Sequence, residues 1–98
     1  MAKAIVLKEY GKSEVLKLED IKVQKPQENE ISIKQTAIGV HFHDVYVRSG
    51  LYKTLSLPGI PGLEAAGIVE EVGKEVTNFK PGDKVGYITK NYGAYTSH

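Results

Sequence analysis

Apolar residues in the first third of the chain stand among charged ones rather than in runs. Leu16, Leu18, Ile21 and Val23 have lysines and acids as neighbours, and Ile31 and Ile33 alternate with Ser32 and Lys34. A period of two predicts strands with one solvated face. Ala4 to Leu7 reads as a first strand, closed by a break at Gly11, Lys12 and Ser13. A polar break at Pro26, Gln27, Glu28 and Asn29 separates a strand ending in Ile21 to Val23 from another over Glu30 to Ile38. Helical patterning occurs once and weakly, at Asp44 to Arg48, where Asp44 is placed to cap the turn and Gly50 to end it.

The second half is punctuated by turn residues. Leu57 to Gly62 reads LPGIPG, with two prolines and two glycines, so no regular element is expected there. Ala65, Ala66, Gly67, Ile68 and Val69 run on to Val72 as a strand whose small residues allow close backbone approach. KPGD after Phe79 is a turn, Lys84 to Thr89 restarts a strand, and Gly93 to Ser97 is expected to form one more. Many short strands at close intervals predict a mainly β fold, a small barrel or sandwich with one short inserted helix. No internal repeat or linker divides the chain, so residues 1–98 are expected to form one domain.

Composition narrows the chemistry. Thirteen Lys and Arg against twelve Asp and Glu leave a formal net charge of +1. Such a balance gives no footing for nucleic acid or a charged membrane surface. No cysteine is present, which removes disulfides, thiolate metal sites and a cysteine nucleophile. The apolar run Ala4 to Leu7 is too short for a signal sequence or a membrane span, so a cytoplasmic location is expected. A dinucleotide site needs a glycine-rich turn between a strand and a helix N-terminus. Gly59, Gly62, Gly67 and Gly73 are scattered among prolines and a β run and do not make one.

Three blocks carry more specific information: GVHFHDVYVRSGLY at Gly39 to Tyr52, PGLEAAGIVEEVG from Pro61, and PGDKVG from Pro81. In order and spacing they resemble the N-terminal, GroES-like domain of the medium-chain dehydrogenase/reductase superfamily, in its zinc-free NADPH:quinone reductase branch. The resemblance implies a partly open GroES-like barrel without the Rossmann domain of the full-length family. It also implies hydride transfer from NADPH to a quinone, with poor NADPH binding and no turnover by these 98 residues unless a nucleotide-binding half is supplied by a partner.

The same resemblance assigns site residues. His41, Phe42, His43, Asp44, Val45 and Tyr46 match the segment against the nicotinamide end of NADPH, and Tyr46 and Tyr52 match the lining of the quinone pocket. An aromatic slot with hydroxyl donors suits a flat quinone, since charge develops on its oxygens as hydride arrives. No catalytic residue is assigned, because hydride transfer is the cofactor's own chemistry. Asp44 is expected to act as a helix cap or hydrogen-bond acceptor, Glu64 as a structural residue at the cleft floor, and Arg48 as a structural ion-pair residue. Tyr87, Tyr92 and Tyr95 are read as packing residues.

Zinc enzymes of this superfamily carry Cys, His and Glu where this chain has His41, Leu63 and Glu64, so two of the three zinc positions differ and no metal is expected. An alternative stays open. His41 and His43 form an HxH pair, and a metal-binding or protein-interaction module could reuse the same barrel. Otherwise His41 makes hydrogen bonds near the cofactor and His43 is a partly exposed loop residue.

Overall fold

The computed structural model describes residues 2–98 of the chain. Strand β1 (Ala2–Leu7) pairs antiparallel with β2 (Leu16–Ile21), and the connection between them contains the 3-10 turn Ser13–Val15. Strands β3 (Ile31–Ile38), β4 (Glu64–Val72) and β5 (Lys84–Ile88) form a second antiparallel sheet in that order, with helix α1 (Phe42–Ser49) between β3 and β4 in the chain. The fold is mainly β, as expected, and its sheets do not close on each other.

Boundaries differ from the expectation in three places. β2 ends at Ile21, and Val23 lies outside it and is exposed, because the following segment contains Pro26 and has no paired strand. Residues 93–97 form no regular strand. They do a strand's work through single bonds: Ile5 N–H donates to Tyr95 O, Ser97 N–H to Lys3 O, and Gln35 N–H to Ser97 O. One isolated bridge, Ala4 to Thr96, accompanies them. This segment therefore lies between β1 and β3 and stitches the two sheets together. Third, the helix starts at Phe42, two residues before the expected Asp44.

Leu7 and Val47 are fully buried and pack with Leu55, while Tyr10, Val15, Leu16, Leu57 and Tyr92 close around them. Burying a side chain of this kind stabilises a fold by about 1.5–3 kcal/mol. Val47 is thus the foot of α1, held on β1 through Leu7. Arg48 adds a second tie: its Nε donates to Gly11 O at 3.2 Å, and Gly11 N–H donates back to Arg48 O at 2.9 Å. Gly50 ends the helix with φ 87°, a left-handed conformation that a Cβ would oppose.

Candidate functional site

The start of α1 is built by side chains distant in sequence. His41 is the extended N-cap residue, with φ −128° and ψ 157°. Asp44 stands at the third helical position, where its Oδ2 accepts the His41 N–H at 3.1 Å. Asp44 does cap the helix, from inside the first turn rather than in front of it. A carboxylate there also faces the positive end of the helix dipole.

Asp44 is 5% exposed, and the same Oδ2 accepts the Tyr95 hydroxyl at 2.6 Å. Burial first, and then the hydrogen bond and charge of Asp44, push the Tyr95 phenol well above its ordinary pKa. Tyr95 is therefore more than a packing residue, since it fixes the carboxylate that starts the helix. Asp44 Oδ1 is buried without a partner among the described residues.

The His41 side chain turns to the sheet. Its Nε2 lies 2.9 Å from Oε1 of Glu64, the first residue of β4. Gly39 makes room for this pair, because a Cβ at Gly39 would overlap the Glu64 carboxylate and approach its Cγ to 2.6 Å. Beside it an open recess of about 710 Å³ is lined by Ile38, Gly39, Glu64, Ala66, Tyr87 and Ile88.

His43 lies in the first turn of α1 and not in a loop. Helical spacing puts it one turn from Tyr46, on a shared side. Its ring centroid is 5.4 Å from Tyr52 and 6.1 Å from Tyr92, the latter nearly stacked with 20° between planes. Tyr52 meets Tyr46 edge-on at 5.3 Å, and Tyr46 meets Phe42 at 6.2 Å. One continuous aromatic strip results, running Phe42, Tyr46, Tyr52, His43, Tyr92. Tyr46 and Tyr52 are also tied through the backbone, Tyr52 N–H donating to Tyr46 O at 3.2 Å. Phe42 is 74% exposed and Tyr52 43%, so the strip presents a face rather than a core.

Of the residues the sequence pointed to, Phe42, His43, Tyr46 and Tyr52 come together on this strip. His41 pairs with Glu64, which lines the neighbouring recess, and the buried Asp44 holds the His41 amide. Val45, half-buried, joins none of the aromatic pairs. Tyr92 was missed. It has φ 63°, a conformation that costs a bulky residue about 1–3 kcal/mol. The strain is held by two hydrogen bonds at its hydroxyl, one shared with His43 Nε2 at 3.2 Å and one with Thr54 Oγ1. The available signal was the density of Tyr87, Tyr92 and Tyr95 in one stretch.

Among the described residues no group of three or more His, Cys, Asp and Glu converges as metal ligands do. The Nε2 atoms of His41 and His43 are engaged by different partners, Glu64 and Tyr92. No described helix is long and apolar enough to cross a membrane.

An open, mainly β unit whose one α-helix among the described residues presents an aromatic edge has the architecture of a GroES-like domain. Residues 27–97 match the alcohol dehydrogenase GroES-like domain. The chain belongs to that family. It is 48% identical over 96 residues to a quinone oxidoreductase of Pseudomonas aeruginosa, covering 98% of this chain and 30% of that protein. It is 46% identical over 97 residues to quinone oxidoreductase 1 of Escherichia coli, with 99% and 30% covered. A crystal structure of the Escherichia coli quinone oxidoreductase complexed with NADPH superposes with a TM-score of 0.89 at 45% identity, over 97% of this chain and 29% of that one. The chain thus spans just under a third of the length of these relatives.

Proposed function

We propose that residues 1–98 are the substrate-facing domain of a zinc-free, NADPH-dependent quinone oxidoreductase. The observation that carries this reading is the aromatic strip through Tyr46 and Tyr52, on a fold 45% identical to an enzyme crystallised with NADPH. A flat ring can lie against such a strip, and two phenols stand ready to donate to its oxygens.

NADPH, when bound, supplies the hydride. The cofactor-facing segment is His41 to Tyr46, in which the exposed Phe42 and Tyr46 offer ring surface to the nicotinamide end and the recess beside Glu64 offers room. Asp44 and Val45 serve that segment by holding it in place, since Asp44 is buried and already bonded on Oδ2. The domain's own contribution is orientation of the acceptor and exclusion of water from it.

Ring chemical shifts on adding menadione to the 98-residue chain test the pocket. Shifts at Tyr46 and Tyr52, lost in Tyr46→Ala and Tyr52→Ala while Tyr10 stays unmoved, are expected. Equal small shifts at all tyrosines would remove the assignment. These residues carry no glycine-rich pyrophosphate turn, so NADPH oxidation by menadione is expected only after they are joined to a dinucleotide-binding domain.

A further inference from the structure

We propose that His43 is the proton donor to the reduced quinone and that Tyr92 and Thr54 recharge it. The inference rests on the quinone-reductase reading. Hydride brings two electrons and one proton to a quinone, which leaves a quinol anion one proton short of the neutral quinol. A quinone laid on the strip displaces water from the covered rings, and a side chain of the strip is placed to make up the difference.

His43 is the titratable group placed for this. Its ring sits between the phenols of Tyr52 and Tyr92, the two titratable groups that face it, and Tyr52 in turn packs on Tyr46. Nε2 is taken by the Tyr92 hydroxyl at 3.2 Å, whereas Nδ1 has no hydrogen-bond partner among the described residues. Beyond Tyr92 the chain of hydroxyls continues to Thr54 Oγ1, and Thr54 is exposed. The path runs from solvent through Thr54 and Tyr92 to His43 and ends on the strip. Tyr92 is kept on this path at the cost of its left-handed backbone, and strain of that kind collects at working sites.

The step balances. The Nδ1–H bond of neutral His43 breaks and a quinol O–H bond forms. Nε2 takes the Tyr92 hydroxyl proton, Tyr92 takes that of Thr54, and Thr54 takes one from a hydronium ion or buffer acid in the solvent, which leaves water or the buffer base. The imidazole changes tautomer, and no oxidant or reductant beyond the hydride donor is needed. The relay requires that His43 start with its proton on Nδ1, the form selected when Nε2 accepts from Tyr92.

Ring-nitrogen chemical shifts of His43 in the 98-residue chain decide the matter without turnover. The wild type is expected to show the Nδ1–H tautomer, Tyr92→Phe to revert to the Nε2–H tautomer, and Thr54→Val to weaken the preference. Menadione should then shift His43 Nδ1 together with the Tyr46 and Tyr52 rings. An Nε2–H tautomer in the wild type, or indifference to Tyr92→Phe, overturns the relay. Menadione shifts at Tyr46 and Tyr52 with His43 Nδ1 unmoved overturn the proton donor while leaving the quinone pocket standing. No shift at any of the three overturns both.

Discussion

Tyr95 donates a 2.6 Å hydrogen bond to Asp44 across a sequence separation of 51 residues, and the same carboxylate oxygen accepts the amide of His41. The helix that carries Phe42, His43 and Tyr46 is thus started by a residue of the segment that joins the two sheets.

Removing that hydroxyl should be costly. Tyr95→Phe leaves the buried carboxylate short of a donor, and a hydrogen bond to a charged group contributes about 1.5–3 kcal/mol. Urea unfolding of the variant is expected to show a loss in that range, with faster amide exchange at His41 to Asp44. A variant as stable as wild type would show that the bond does not secure the helix.

The same pair sets an alkaline limit. The folded pKa of Tyr95 lies above its unfolded value near 10, so the folded state keeps a proton that the unfolded state has lost. The stabilisation is complete below the unfolded value and drains away as pH rises towards the folded one. Wild-type stability is expected to fall from about pH 10 upwards, with a shallower fall in Tyr95→Phe. Parallel alkaline profiles would contradict the assignment.

Gly39→Ala should separate His41 from Glu64, because the new methyl occupies the space of the Glu64 side chain. Overpacking of this kind costs about 1–3 kcal/mol. The check is a comparison of unfolding midpoints together with the His41 ring resonances, which ought to resemble those of Glu64→Gln. Unaltered His41 resonances would mean that Glu64 finds another course past the methyl.

Metal analysis of the purified chain is expected to give no stoichiometric zinc. Leu63 offers no ligand, and His41 and His43 are turned to separate partners. One tightly held ion per chain, lost in the His41→Ala, His43→Ala double variant, would reverse this.

How much could be read in advance follows from the range of each interaction. Strands announced by alternation, such as Ile31 to Ile38, and by small and branched residues, such as Glu64 to Val72, were legible because the signal is local. The helix was legible as a helix, but its true start at Phe42 was not, since His41 is an uncommon cap and Asp44 reaches backward. Residues 93–97 satisfied the pattern of a strand yet pair through single bonds to β1 and β3. For the site, Tyr46 and Tyr52 followed from resemblance. Tyr92 did not, because its place on the strip depends on partners 49 and 38 residues away that no local pattern encodes, and the helical place of His43 went with the helix start.

The stitch between the sheets has a consequence for the birth of the domain. Lys3 N–H donates to Ser97 Oγ, and Lys3 O accepts from Ser97 N–H, so β1 finds part of its pairing 94 residues downstream. On a ribosome, β1 and β2 can meet early, but β1 then waits with one edge unsatisfied until Ser97 has left the exit tunnel. Val47, buried in the finished fold, would pass through that interval on a helix not yet tied down by Tyr95, and it is then that a chaperone has apolar surface to hold.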